Sequence, residues 1–204
     1  MSVFERTETA AAAPSETGER PERRHLSERQ AEVMERLVAA AADEAEERPY
    51  GEISVRSIAK RAGVAPATAY TYFSGKDHLL ALVLWRAVES SPQLVDLALS
   101  PPERVAELVR TMGFAALGPG AVAAGTTALL TDGPDARRVR ARLAEEIDRR
   151  LAAALGAEVS SAVRGILVLT YTGALISAGM GHLPFEAVPG LLAHATELVT
   201  GSGR

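Results

Sequence analysis

Cysteine is absent from the 204 residues, which excludes a disulfide framework and any thiolate metal or redox site. Aromatic residues make up only 4% of the chain, and no run alternates β-branched with polar residues as a half-buried strand would. Alanine and leucine dominate instead, and both lose little side-chain entropy in a helix. Together with a hydrophobic fraction of 47%, these features predict an all-α fold with a sizeable core.

The sequence also has no segment typical of secretion or of a membrane span. The N-terminal stretch holds no apolar core of secretory length. Its Ala-, Glu-, Thr- and Pro-rich composition lacks apolar periodicity and predicts a disordered tail over residues 1–24. The most apolar stretch, residues 165–180, falls short of the ~20 residues that a bilayer span needs. We therefore expect a cytoplasmic protein with no membrane partner.

An overall basic excess is lacking as well, since the formal net charge is −4. Positive charge is instead concentrated in residues 53–76, which contain four cationic side chains and no acidic residue. These cations are Arg56, Lys60, Arg61 and Lys76. Because the local distribution of charge matters more than the total, this segment is a candidate for contact with a nucleic acid.

Capping and breaking residues divide the N-terminal part of the chain into short helices. Ser27 with Gln30, and Ser74 with Asp77, match the capping box, in which side chains bind the free backbone N–H groups of a helix start. Ser54 is the expected N-cap of the second helix, and Gly and Pro residues separate the helices. The predicted helices cover about residues 27–48, 55–61, 66–73 and 75–91.

Five further helices are predicted in the C-terminal part, separated by glycine and proline. They cover about residues 102–117, 119–131, 134–155, 159–181 and 185–200. Within the third of these, arginines from Arg137 to Arg150 alternate with acidic residues. This pattern predicts a solvated helix face with ion pairs between residues four apart.

The second and third predicted helices satisfy the demands of a helix-turn-helix, in which two short helices cross steeply through a tight turn. Ala59 supplies a small residue at the crossing, and Gly63 follows four residues later as a turn residue that tolerates positive φ. Apolar residues flank both positions. The spacing alone also fits a plain helical hairpin, which is the alternative interpretation.

The polar face of the third predicted helix indicates how such a motif would bind duplex DNA. Ala67, Thr68 and Thr71 are small enough to bring the backbone close to base edges in the major groove, and threonine methyls can contact thymine methyls. Other side chains are expected to contact phosphates and fix the register. These are Tyr70, Tyr72, Ser54, Arg56 and Lys76.

Two stretches of this motif, IAKRAGV at residues 58–64 and TAYTYFSGKDHLL at residues 68–80, fit a known pattern. They resemble the N-terminal domain of the TetR/AcrR family of regulators, and the similarity covers about residues 27–88. Ala69 departs from the pattern, because a larger apolar residue is usual there. The resemblance implies an all-helical homodimer, usually a repressor, that binds a palindromic operator and is released by a small effector.

The resemblance also implies a division of the chain. A three-helix DNA-binding domain would span residues 25–74, and a larger effector-binding and dimerisation domain residues 75–204, whose last two long helices would pair with those of a partner. Small residues on the 159–181 helix favour close helix approach, although they could instead pack within one subunit. They are Gly165, Gly173, Ala174, Ser177, Ala178 and Gly181.

The effector pocket implied by the resemblance is expected to be apolar, which favours a lipophilic or aromatic effector. Its candidate lining residues are Trp85, Met112, Phe114, Leu129, Tyr171 and Phe185. No cofactor, metal site or catalytic activity is expected, because histidines at metal-ligand spacing, a phosphate loop and a nucleophile elbow are all lacking. The alternative function is a helical interaction module whose helix-turn-helix no longer reads DNA.

Overall fold

The computed structural model describes residues 21–93, 96–112, 117–156 and 159–201. Within these ranges the chain forms nine α-helices, two short 3-10 turns and no strand, which confirms the all-α prediction. The helices are α1 (Pro21–Glu47), α2 (Val55–Arg61), α3 (Pro66–Tyr72), α4 (Lys76–Ser90), α5 (Pro101–Thr111), α6 (Pro119–Leu129), α7 (Pro134–Leu155), α8 (Ser161–Gly179) and α9 (Val188–Thr200).

Helix α1 begins earlier than predicted, at Pro21 rather than at Ser27. The prediction of disorder was therefore wrong for residues 21–24, whereas residues 1–20 lie outside the described part of the chain. Proline suits the first turn of a helix, and the glutamate and arginines that follow it are good helix formers. Apolar periodicity marks only the part of α1 that packs, from about Val33 onward.

The other helix bounds lie close to the predictions, with two exceptions. Helix α5 ends at Thr111 and not near residue 117. Helix α9 begins at Val188, after a 3-10 turn over Phe185–Ala187 that the sequence pattern had assigned to the helix. The predicted starts of α2 and α3, with Ser54 as N-cap and Pro66 in the first turn, are confirmed.

The core consists of two clusters of buried side chains that share helices. One cluster joins α1, α2, α3 and one side of α6, and it includes Leu37, Ile58 and Phe73. The other fills the C-terminal helices α5 to α9. Helix α4 contributes to both, since Leu80 lies in the first cluster and Leu84 in the second. Movement of α4 would therefore displace side chains in both clusters.

Two expectations about side chains were wrong. Ser74 does not cap α4, whose N-cap is Gly75; its hydroxyl instead donates to Asp135 Oδ2 at 2.6 Å. Arg150 does not lie on a solvated face, because it is only 2% exposed and donates from Nη2 to the Val88 carbonyl oxygen at 2.5 Å. Both side chains found partners on distant segments that local patterns do not specify.

Candidate nucleic-acid interface

Helices α2 and α3 form the predicted helix-turn-helix through local hydrogen bonds. The Ser54 side chain accepts from the Ser57 N–H at 3.0 Å, and the Ser57 side chain accepts in return from the Ser54 N–H at 3.1 Å. In the turn, Gly63 has φ of +64°, a conformation that glycine adopts without steric cost. The Val64 N–H then donates to the Ala59 carbonyl at 2.9 Å and reverses the chain.

The side chains between the two helices are fully buried. Ala59 and Ala69 are both 0% exposed, as is Ile58, and Phe73 is 1% exposed. Ala69 is therefore completely enclosed, although its side chain is smaller than the one usual at this position. The buried face of α3 fixes the rotation of this helix, and helical geometry then determines which residues face outward.

The outward face of α3 contains Ala67, Tyr70 and Thr71, all of them exposed. Tyr70 is 53% exposed, so much of its side chain is available for an external contact. Thr68 and Tyr72 lie half-buried at the two edges of this face. The Thr71 hydroxyl donates to the Ala67 carbonyl at 3.1 Å, which leaves its methyl group and its oxygen lone pairs for an external contact.

Arg56 and Lys60 carry the available positive charge of the motif. They lie four residues apart on α2, are exposed, and form no ion pair or hydrogen bond within the described part of the chain. Ser54, at the start of the same helix, is also exposed, although its hydroxyl is used for capping. Lys60 was counted from the sequence among the cations of this segment but not among the expected phosphate contacts, although its spacing from Arg56 was a usable signal.

The other two cations of the segment have partners. Arg61 donates from Nε to Glu44 at 3.1 Å and also pairs with Glu47, whose pKa is lowered by the hydrogen bond from Arg61. Lys76 Nζ donates to the Tyr50 carbonyl at 2.7 Å and lies 4.1 Å from the centre of the Tyr50 ring. The segment without acids in the sequence is therefore partly neutralised by acids of α1.

A cavity of about 140 Å³ lies among α4, α6, α7 and α8. Three predicted residues line it, namely Met112, Leu129 and Tyr171. Trp85 does not line it and instead packs under the Arg142 guanidinium, 4.2 Å from its ring centre. Phe185 packs at the edge of the C-terminal core, and Phe114 lies outside the described residues. Sequence reasoning missed most of the lining because it comes from four separated helices.

The outer faces of α8 and α9 expose large apolar side chains. They are Ile166, Leu169, Met180, Leu191 and Leu198. The small residues expected on this face are divided, because Ala174 and Ala178 pack inside the subunit and Gly181 follows the end of α8. Helix α8 is long and apolar enough to cross a bilayer by length and composition, and 22% of its most apolar window is buried inside the subunit.

Comparison with known proteins places these features in context. Residues 37–83 match the family model described as bacterial regulatory proteins, tetR family. Uncharacterized HTH-type transcriptional regulators of Mycobacterium tuberculosis and of Mycobacterium bovis are each 35% identical over 174 residues, covering 84% of this chain and 82% of theirs.

Solved structures share the fold. A TetR transcriptional regulator from Rhodococcus sp. RHA1 superimposes with a TM-score of 0.67 at 21% identity, covering 86% of this chain and 100% of that one. A tetR-family regulator from Streptomyces coelicolor superimposes with a TM-score of 0.58 at 19% identity, covering 84% of this chain and 82% of that one.

Proposed function

The chain belongs to the TetR family of DNA-binding transcriptional regulators, and on that basis we propose that it is a cytoplasmic, homodimeric repressor that a small lipophilic effector releases from a palindromic operator. The observation that supports this best is the outward face of α3, which exposes Ala67, Tyr70 and Thr71, while Arg56 and Lys60 of the preceding helix are exposed and have no partner among the described residues. Small side chains on the second helix and exposed cations on the first suit a motif whose second helix enters the major groove.

We assign base contacts to the small residues of α3 and phosphate contacts to the residues around them. Ala67, Thr68 and Thr71 allow close approach to base edges. Tyr70, Tyr72 and Ser54 offer hydroxyl groups, and Arg56 offers a guanidinium. Lys76 uses one of its three N–H donors on Tyr50 and retains two for a phosphate.

A homodimer would cover the apolar outer face of α8 and α9. Leu169 is 73% exposed and Leu198 is 71% exposed, so a single copy leaves large apolar side chains in water. Helix α8 also carries Arg164, which pairs with Asp148 of α7 at 3.1 Å. That ion pair and the packing of α8 on α6 and α9 favour a second copy of the chain, and not a bilayer, as the partner of this apolar face.

A dimer would also give the motif its second reading helix. One helix contacts few base pairs, whereas two helices held one turn of DNA apart add their contacts on a palindrome. Effector binding in the cavity would act through α4, which lines the cavity with Leu84 and Val88 and whose first turn follows the helix-turn-helix directly. Displacement of α4 would change the spacing of the two reading helices.

Titration of the full chain against DNA from upstream of its own gene tests the proposal, with a scrambled duplex as the reference. We expect salt-sensitive binding that prefers the upstream DNA and involves an even number of chains. Thr68→Ala and Thr71→Ala should change the preference at particular base pairs. Thr127→Ala is the matched control. Thr127 is exposed, and its hydroxyl donates to the carbonyl four residues back, as that of Thr71 does.

Two outcomes would contradict the proposal. Equal affinity for the upstream and the scrambled duplex would favour the alternative of a helical interaction module. Unchanged footprints and base preferences in both α3 variants would show that this face does not read DNA.

A further inference from the structure

We propose that the cavity binds a monocarboxylic acid with a compact apolar body, and that Arg140 at the cavity wall holds its carboxylate. The inference rests on the proposed effector role of the cavity and specifies the ligand class. The lining is almost wholly apolar, and Arg140 is the only charged residue among the described residues that form it. Arg140 itself is exposed, so a carboxylate that it holds would keep contact with water.

The donors of Arg140 are only partly used. Its Nη1 donates to the Leu129 carbonyl at 2.5 Å, next to the C-terminal end of α6. Nε and Nη2 have no hydrogen bond or ion pair within the described part of the chain. These two nitrogens form the edge of a guanidinium that binds a carboxylate through two parallel hydrogen bonds. The bond to Leu129 fixes the group at the cavity.

Arg150, on the same helix, is an arginine whose hydrogen bonds are all made within the protein. All three of its nitrogens have partners: Nε donates to Glu146 at 2.7 Å, Nη1 to the Ser91 hydroxyl at 2.6 Å and Nη2 to the Val88 carbonyl at 2.5 Å. Other arginines of α7 pair with acids, as Arg138 does with Asp135 and Arg149 with Glu146. Arg140 has no carboxylate partner among the described residues, as is also true of Arg137 and Arg142, but of these three only Arg140 lines the cavity.

Thr126 provides a second, independent sign of a polar ligand atom. It lines the cavity, is 8% exposed, and its hydroxyl has no hydrogen-bond partner in the described structure. Thr127 and Thr172, also on helices, each donate to the carbonyl four residues back. A buried hydroxyl without a partner is destabilising, and a ligand oxygen would provide the missing hydrogen bond.

The cavity volume limits the apolar body. At about 140 Å³ it is close to the roughly 150 Å³ of an engineered apolar cavity that binds benzene. One six-membered ring or a short branched chain therefore fits. Leu84, Val122 and Leu175 would contact such a body on three sides. Phenylacetate has these properties, and phenylacetamide is its uncharged counterpart of nearly the same shape.

Calorimetric titration of the full chain without DNA tests the inference with these two probes. We expect phenylacetate to bind at least about tenfold more tightly than phenylacetamide, because hydrogen bonds to a charged group are worth that much. Arg140→Gln should abolish the preference. Arg137→Gln should retain the preference, because this substitution removes the same charge from α7 at a residue that does not line the cavity.

Thr126→Val gives a second readout. It preserves the shape of the side chain and should weaken phenylacetate binding by about two- to tenfold, the value of one neutral hydrogen bond. The inference is overturned if the amide binds as tightly as the acid, if Arg140→Gln keeps the preference, or if neither probe binds at the highest soluble concentration. Thermal unfolding of each variant separates weak binding from loss of the fold.

Operator binding by the same samples distinguishes this inference from the proposed function. Release by neutral lipophilic compounds, without a preference for acids, would leave the proposed repressor intact and refute the ligand class. Selective binding of phenylacetate through Arg140, with no effect on DNA affinity, would support the ligand class and refute the effector role of the cavity.

Discussion

The Glu46 carboxylate, one residue before the end of α1, accepts the backbone N–H of Ala121 at 2.7 Å. It also accepts the Gly120 N–H at 3.3 Å. A side chain of α1 thus caps α6, 74 residues further along the chain. Because α1 packs on the helix-turn-helix and α6 lines the cavity, this cap connects the two parts of the molecule directly, beside the connection through α4.

Glu46→Ala should lower the free energy of unfolding by about 1 kcal/mol, the usual value of a helix N-cap. The two N–H groups would then bind only water, and the negative charge near the positive end of α6 would be lost. Urea unfolding measures the change. Asp43→Ala is the control, because Asp43 lies exposed on the same helix and has no partner among the described residues. An equal loss in both variants would contradict the capping role.

Gly120→Ala should destabilise the protein by about 1–3 kcal/mol through overpacking. A Cβ at this position would lie 2.5 Å from the Ala45 carbonyl oxygen, which belongs to the backbone of α1 and cannot move alone. Gly133→Ala is the control, since nothing lies within 4 Å of a Cβ there. Thermal unfolding compares the two. Equal melting temperatures would show that α1 and α6 separate without cost.

Arg56→Ala should weaken binding to all DNA sequences to a similar degree and make the slope of log K against log salt shallower by about one unit. Lys76→Ala should act in the same direction, and it also removes the bond to Tyr50. Fluorescence anisotropy over a range of salt measures the slope. Arg110→Ala, on α5, is the control. A changed base preference with an unchanged slope would refute the phosphate role.

Leu169→Asp should convert the proposed dimer into monomers, because it places a charge in the apolar outer face of α8. Sedimentation velocity measures the change in mass. Leu97→Asp is the matched control, since Leu97 is 77% exposed in the segment between α4 and α5 and belongs to neither α8 nor α9. The dimer assignment fails if the unmodified chain is monomeric, or if Leu169→Asp leaves the mass of the dimer unchanged.

Glu146→Gln should lower stability near neutral pH and lose this effect in acid. Hydrogen bonds from Arg149 and then Arg150 lower the pKa of Glu146 from 4.5 to about 2. The contribution of the carboxylate is therefore complete above pH 4.5 and disappears as the pH falls towards 2. Urea unfolding at several pH values should show the two proteins converging within this window.

Glu145→Gln is the control for that series, because Glu145 is exposed and has no hydrogen bond or ion pair in the described structure. A difference between Glu146→Gln and the unmodified protein that stays constant from pH 7 to the acid limit would contradict the assignment.

The sequence alone determined the helix-turn-helix and most helix bounds. Ser54 as a cap, Gly63 in the turn and Pro66 in a first turn act over about four residues, so their effects are visible in the local order of the chain. The buried positions Ile58 and Ala59 followed from the same short-range geometry. The family pattern added the expected function, and the structure exposes Ala67, Tyr70 and Thr71 on the outward face of α3.

Only the tertiary structure decided which charges are free and where the cavity lies. Arg61 is neutralised by Glu44 from α1, whereas Arg140 is held at the cavity by Leu129. Arg150 is buried by contacts with α4 instead of facing water. The physical reason is that ion pairs, caps and cavities depend on side chains that meet only after distant helices pack, and no local pattern encodes which helices will meet.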